Sequence, residues 1–388
     1  MVIGVDASRT VIAQHTGTEA YSYRLIQALI PLTRQKGYHL RLYFNQAPQP
    51  DLFPALSHLE PVVIPFPRLW THFRLAWELQ RRPPDVFFTP AHVIPITYFG
   101  RSVATVHDLG YHYFPEAHPR IQLAYLHWST RHNGRRSRRV IADSQATKTD
   151  LARLYAIDPT RVDVIYPGVD PHLKPVVDQN RLVAAQQKYG IVPPYLLYIG
   201  TLQPRKNLVR LVQAYAASNV PHQLVLAGKR GWLAQPILDT ISNLQSPVSN
   251  LQFPIPDIPS DNPQSPISKP ILLPGFVHDD DKAALISGAT ALLYPSLYEG
   301  FGFPVLEAQA CGTAVLCAES SSLPELAGEA ALLVDPLDTV ELAAAIQRLA
   351  SDEPLRRQLI EKGFENVKRF SWQKTARQVL ATLEQAAG

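Results

Sequence analysis

Short apolar runs alternate with helix-period segments along the whole chain, and the alternation starts over at Tyr195. Apolar runs separated by helical stretches predict β-α units, parallel sheets and helices on both faces of each sheet. In the first half strands are expected near 2–6, 39–44, 62–64, 86–88, 102–106, 140–142 and 163–166, with helices near 18–30, 70–81, 119–137 and 145–156. In the second half strands are expected near 195–199, 223–227, 271–273, 291–294, 314–317 and 331–334. Helices there fit near 207–217, 281–288, 304–311, 322–327, 338–350, 353–368 and 371–387. The polar stretch Pro171 to Gly190 separates the halves. The expected organisation is a first domain at 1–172, a linker at 173–192, a second domain at 193–370 and a terminal helix at 371–388.

One segment breaks the rhythm. Residues 243–270 hold imperfect seven-residue repeats beginning at Asn243, Asn250 and Asn262, with prolines at 247, 254, 256, 259, 263, 266 and 270. Proline at that density forbids a regular helix or a central strand, so the segment reads as a low-complexity surface insertion.

Composition removes several classes. With 388 residues, 46% hydrophobic and 18% charged, each half can build its own core. A net charge of +4, spread along the chain, gives no argument for a nucleic-acid partner. Cys311 and Cys317 are the only cysteines, which excludes a disulfide framework and fits a reducing compartment. The chain opens on the strand pattern Val2-Ile-Gly-Val-Asp6, so no secretory leader is expected. No apolar run is long enough to span a bilayer, and a cytoplasmic location follows as the expectation.

Most of the chemistry lies in Tyr294-Pro-Ser-Leu-Tyr-Glu299-Gly-Phe-Gly-Phe-Pro-Val-Leu-Glu307-Ala-Gln-Ala-Cys-Gly312. A strand ends near Tyr294, Pro304 opens a helix and Gly312 closes it. Glu299 then lies in a loop at the carboxyl end of a strand, and Glu307 about one turn into the following helix. In an open α/β sheet that crevice is where ligands bind, and the free N–H groups at a helix start can hold an anion. The two carboxylates could accept hydrogen bonds from two sets of sugar hydroxyls. A Glu in a first helical turn can equally just complement the helix dipole.

Other segments carry candidate groups. His107 follows the strand at 102–106 directly and could donate to a hydroxyl or stabilise developing charge. A structural histidine tied to a carbonyl is the alternative. His92 ends another strand and ranks second. Gly17 and Thr18 precede a helix that is expected to end at Pro31, and glycine there permits close backbone approach. Arg205 and Lys206 stand before Asn207, an expected N-cap, where two cations beside a helix start form an anion site. Asp279-Asp280-Asp281 precedes a helix, so N-capping and dipole complementation account for it without a metal. The basic run Arg131 to Arg139, beside Ile121, Tyr125 and Trp128, reads as a solvated helix face, with docking to anionic lipid as the functional alternative.

The segment from Glu299 to Glu307 resembles the E-x(7)-E signature of retaining glycosyltransferases of family four (glycosyl transferases group 1). The likeness continues through Thr313-Ala-Val-Leu-Cys317 and Ser321-Ser-Leu-Pro-Glu325-Leu-Ala-Gly328 to Leu332-Leu-Val-Asp335-Pro. It implies the GT-B fold: two doubly wound Rossmann-like domains facing a central cleft, the last helix crossing back to the first domain. It implies a hexosyltransferase that moves a sugar from a nucleotide-diphosphate sugar to a saccharide or lipid-linked acceptor in glycan or polysaccharide assembly. Retention would follow a same-face displacement in which the leaving phosphate takes the acceptor proton, without cofactor or essential metal. By the resemblance, Glu307 meets the ribose, Lys206 and Arg205 the diphosphate, and Glu299 and the backbone of Phe301, Gly302 and Phe303 the donor sugar. His107 lies near the reacting carbon, with His107, Glu299 and Lys206 the catalytic set. Gly228 and Val277 sit at the nucleotide, and Gly17 and Thr18 form the acceptor or phosphate loop. Many relatives carry a second arginine where this chain has Thr201. Gly228-Lys-Arg-Gly-Trp232 is similar to mannosyltransferase-like members and points to a guanosine-diphosphate mannose donor. The location would be cytoplasmic, with peripheral contact to the inner membrane face through the basic run. A silent GT-B sugar-binding scaffold and a nucleotide-sugar epimerase are the alternatives on the same fold.

Overall fold

The computed structural model describes residues 1–11, 17–66, 69–245 and 271–388. The chain divides into two compact units, Met1–Gly168 together with Phe370–Gly388, and Val169–Arg369.

The first unit carries β1 (Val2–Asp6), β2 (His39–Phe44), β3 (Leu59–Val63), β4 (Val86–Thr89), β5 (Ser102–Val106), β6 (Arg139–Ala142) and β7 (Val162–Val164). These strands pair in parallel in the order β3-β2-β1-β4-β5-β6-β7. The second unit carries β8 (Tyr195–Ile199), β9 (Gln223–Ala227), β10 (Leu272–Gly275), β11 (Ala291–Tyr294), β12 (Ala314–Ala318) and β13 (Leu332–Val334). Their order is β10-β9-β8-β11-β12-β13, again parallel throughout. Helices cover both faces of such sheets, so the central strands are mostly apolar and buried along their whole length: every residue of β5, β8, β9, β11 and β12 is buried. In both sheets the winding direction reverses between the first strand and its fourth-strand neighbour. This reversal opens a crevice beyond the carboxyl ends of β1 and β4, and another beyond β8 and β11.

The helix Trp372–Ala387 belongs to the first unit. Ser371 caps it by accepting from the Lys374 N–H, the Thr375 hydroxyl donates to the Tyr166 carbonyl at 2.7 Å, and the Thr382 hydroxyl donates to Asp163 at 2.9 Å.

Four expectations need correction. The helix Gly17–Gln35 runs on through Pro31 instead of ending there. Proline removes one ladder donor, but continuing the helix buries Thr33, whose hydroxyl donates to the Leu29 and Ile30 carbonyls. The stretch 173–192 is not an open linker: it holds the helix Gln179–Tyr189, capped by Asp178 and closed by Gly190 in the left-handed region. Third, the helix Gln235–Gln245 takes the first residues assigned to the insertion at 243–270; the rest of that insertion, from 246, lies outside the described residues. Fourth, no side chain of the Asp279-Asp280-Asp281 run caps its helix, Asp279–Ser287, where the cap position is His278. The three aspartates occupy the first turn, where they complement the dipole, and Asp281 accepts from Lys188 at 2.6 Å and from the Tyr189 hydroxyl at 2.8 Å.

Candidate functional site

In the second unit the loops after β8 and β11 meet at the reversal point. Lys206 ends the loop after β8 and Glu299 stands in the loop after β11; they are only 6% and 5% exposed. The Lys206 ammonium donates to one Glu299 oxygen and, at 2.7 Å, to the Tyr294 hydroxyl, and it lies 5.0 Å from the Tyr294 ring centroid. Arg205 donates to the other Glu299 oxygen at 3.0 Å and to the Tyr298 carbonyl at 2.9 Å. Burial alone would raise the Glu299 carboxyl, but the Lys206 and Arg205 charges override it and hold it at about 2. Two cations against one carboxylate leave the cluster with a net positive charge in a water-poor crevice.

Backbone and serine contacts hold these loops in place. The Leu297 N–H donates to the Arg205 carbonyl at 2.8 Å. From the loop after β12, the Ser321 hydroxyl accepts from the Glu299 N–H at 2.8 Å, and the Ser322 hydroxyl donates to the Glu299 and Phe301 carbonyls. Gly302 then starts the helix Phe303–Ala310 with φ at +115°, and a Cβ there would come within 2.7 Å of the Leu323 side chain. Pro304 falls in the first helical turn. Glu307 is not part of the Glu299 cluster; it accepts from Lys282 of the helix Asp279–Ser287 at 2.5 Å. Asn207 occupies the N-cap position of Leu208–Ser218 in the left-handed region, yet its side chain does not cap. It donates instead to the Pro336 carbonyl at 2.6 Å.

The strand ends β8 and β9 approach closely. At Gly228, where φ is +150°, a Cβ would lie 1.8 Å from the Gly200 carbonyl oxygen. The Val277 side chain is buried in the core of the unit, so only its backbone is available to a ligand. Its neighbour Phe276 is exposed instead, with the Lys229 ammonium 4.7 Å from the ring centroid.

In the first unit His107 follows β5, as expected, but both ring nitrogens face acceptors. Nδ1 lies 2.6 Å from Asp143 and Nε2 lies 2.7 Å from the Pro90 carbonyl. The Pro90 carbonyl can only accept, so Nε2 carries a proton; Nδ1 and the buried Asp143 carboxyl share another, and burial raises the Asp143 pKa as well. Burial would lower the His107 pKa, and Asp143 raises it above the ordinary value in spite of that. The Tyr21 ring packs edge-on at 4.7 Å. Gly17 begins the helix Gly17–Gln35, where a Cβ would meet none of the described residues within 4 Å, and the Thr18 hydroxyl reaches toward Glu19 at 3.4 Å. At the reversal point Asp6 ends β1: one oxygen accepts from the Ser8 N–H and hydroxyl, while the other is buried without a partner among the described residues. His92 feels the charges of Asp6, Arg9 and Glu19, and burial lowers its pKa. The basic run is not one continuous patch, because Arg136 donates to the Tyr98 carbonyl and Arg139 to Asp163, leaving Arg131, Arg135 and Arg138 exposed.

Two family models match this chain. Glycosyltransferase Family 4 covers residues 15–173, and Glycosyl transferases group 1 covers residues 264–366. Together they span more than half of the chain. The chain is a family 4 glycosyltransferase. This glycosyltransferase is 27% identical over 383 residues to the O-antigen chain mannosyltransferase B of Escherichia coli, covering 94% of this chain and 95% of the relative. It is 24% identical over 293 residues to the O-antigen chain mannosyltransferase RfbU of Salmonella typhimurium, covering 76% and 72%. Among solved structures it resembles sucrose-phosphate synthase from Thermosynechococcus elongatus with a TM-score of 0.71, 21% identity and coverage of 99% and 98%. It also resembles HepE of Anabaena in complex with UDP and glucose, with a TM-score of 0.70, 18% identity and 99% coverage of both. Those likenesses establish the GT-B fold.

Sequence reasoning about this glycosyltransferase assigned no site role to Asp6, Asp143 and Lys282, and met Ser321 and Ser322 only within the family likeness. Asp6 and Asp143 each end or follow a strand (β1 and β6), the same signal that marked His107, and could have been found by it. Lys282 carries no comparable mark.

Proposed function

We propose that this enzyme transfers a hexose, with mannose as the leading assignment, from a nucleoside-diphosphate sugar to a saccharide or lipid-linked acceptor, with retention of configuration. The observation that carries this reading is the buried Glu299–Lys206–Arg205 cluster at the reversal point of the second sheet. Its net positive charge suits a diphosphate, and charge-assisted hydrogen bonds from Lys206 and Arg205 would stabilise the leaving group as charge builds on it. Diphosphate binding would draw these cations away from Glu299 and release its oxygens for sugar hydroxyls. Glu307 would accept from the ribose, and Gly228, Val277 and the backbone of Phe301, Gly302 and Phe303 would line the base and sugar. Mannose rests on the names of the two O-antigen relatives and on Gly228-Lys-Arg-Gly-Trp232; guanosine-diphosphate mannose is therefore the first donor to test.

The first unit is assigned the acceptor. Gly17 and Thr18 offer close backbone approach, the Asp6 oxygen that has no partner among the described residues would accept from an acceptor hydroxyl, and a protonated His107, held by Asp143, would stabilise negative charge. The exposed Arg131, Arg135 and Arg138 would favour an acceptor presented at an anionic membrane.

The test is a product analysis with guanosine- and uridine-diphosphate sugars and mannose-containing acceptors. Transfer yields a new glycosidic bond of unchanged anomeric configuration, read by NMR. Epimerisation would give an altered sugar nucleotide without an acceptor, and a silent scaffold would give binding with no product; either result overturns the reading.

A further inference from the structure

The helical segment that follows β3 is apolar on two faces. Leu75, Ala76 and Leu79 point into the core of the unit. On the other side Phe73 and Trp77, one turn apart, are 60% and 51% exposed, and Leu69 at the lead-in is exposed as well. A helix of a soluble protein normally turns one stripe inward and offers water its polar side. The neighbouring helix Arg120–Arg136 has the same character: Ile121 is 88% exposed, and Tyr125 and Trp128 follow on its outer face. The His72 ring meets the Trp128 ring at 5.8 Å, which joins the two stripes into one surface. An apolar area of this kind marks an interaction site.

Charge narrows the choice of occupant. Between the first of these helices and the edge strand β3 lies a groove of about 370 Å³, lined by Val63, Arg74, Trp77, Arg81 and Arg82, with Glu78 as its one carboxylate among the described residues. The Arg74 and Arg81 guanidinium groups lie 5.6 and 5.2 Å from the Trp77 ring centroid. Arg82 is paired with Glu60 at 2.7 Å and with Glu78 at 3.7 Å, whereas neither Arg74 nor Arg81 has a carboxylate partner among the described residues. The helix Arg120–Arg136 contains no acidic residue and exposes Arg131 and Arg135. A symmetric contact with a second copy would bring these arginines toward their own counterparts, which repel. Aromatic side chains beside arginines suit the boundary between lipid headgroups and acyl chains.

We propose that this surface is a binding site for anionic lipid. The headgroup phosphate enters the groove between Arg74 and Arg81, and Phe73, Trp77, Ile121 and Trp128 settle into the interfacial layer. This goes beyond the exposed basic run, and it does not depend on the donor reading, because its test needs neither nucleotide nor sugar.

The test is sedimentation of the full chain with vesicles of phosphatidylglycerol and phosphatidylcholine, against phosphatidylcholine alone, at low and high salt. Binding to the anionic vesicles only, reduced by salt, is expected. Near an anionic surface each arginine contributes about fivefold, so Arg74→Gln with Arg81→Gln should weaken binding by about 25-fold, and Phe73→Ser with Trp77→Ser should weaken it comparably. Circular dichroism of each variant checks that it is folded. Absence of vesicle binding at low salt, or binding that folded variants of both kinds retain, overturns the proposal. So does displacement from the vesicles by millimolar glycerol phosphate, which would assign the groove to a soluble phosphate ester. A concentration-dependent dimer abolished by Phe73→Ser with Trp77→Ser would assign the surface to a second copy and overturn it equally.

Discussion

Replacing Glu299 by Gln removes one charge and almost no volume from the centre of the cluster. In the native protein the carboxyl is held at about 2 against an ordinary 4.5, so its charged form is stabilised by about 3 kcal/mol. The amide leaves Lys206 buried, with the Tyr294 hydroxyl as its remaining strong contact among those described above. Breaking one side of a buried pair costs about 3–5 kcal/mol, so Glu299→Gln should destabilise the second unit by about 3 kcal/mol at neutral pH. The pH dependence carries a second signature. Because the folded value is depressed, the Glu299 contribution is complete above 4.5 and disappears as the pH falls toward 2. The variant should therefore differ most from wild type at neutral pH and converge with it in acid. Urea unfolding at pH 7 and pH 3, followed by near-ultraviolet circular dichroism and fluorescence, measures both. A loss under about 1 kcal/mol, or an unchanged gap at low pH, would refute the claim that Lys206 and Arg205 depend on Glu299. A nucleoside diphosphate lacking the sugar should still bind the variant, since the two cations remain.

Asp143→Asn removes the charge that most raises the His107 pKa while burial remains, so the His107 midpoint should fall. In wild type its contribution to stability is complete below 6.5 and is lost as pH rises through the raised value; NMR titration of the ring checks both, and an unshifted midpoint would exclude Asp143 as the cause. Gly228→Ala would place a methyl group 1.8 Å from the Gly200 carbonyl at a φ of +150°, so thermal melting should show a loss of about 3 kcal/mol or more. Native-like melting would contradict that close approach. Asp6→Asn should raise the acceptor KM and leave donor affinity unchanged, whereas a change in donor affinity alone would remove Asp6 from the acceptor site.

Buried parallel strands were legible because burial on both faces writes itself as a continuous apolar run. For the same reason β8, β9 and β11 begin and end where the sequence pattern changes. The helix Gln179–Tyr189 was invisible because Ala185 is its only buried residue, so it has hardly any apolar period to detect. The positions of Glu299 and Lys206 beside adjacent strands follow from strand order, which local patterns do not encode. Their direct pairing joins residues far apart in sequence, as does the pairing of Glu307 with Lys282. Such contacts depend on how loops settle at a sheet edge, where a side chain has several partners within reach. The two acceptors at His107 are of the same kind, since one is a backbone carbonyl that no residue type announces.

Titration calorimetry with guanosine- and uridine-diphosphate sugars, on wild type and Glu307→Ala, tests the central claim most directly. Wild type is expected to bind one donor class, and Glu307→Ala to weaken that binding about ten- to a hundredfold, the worth of one or two charge-assisted hydrogen bonds. Failure of the folded wild type to bind any of these donors, or equal binding by the variant, would contradict it.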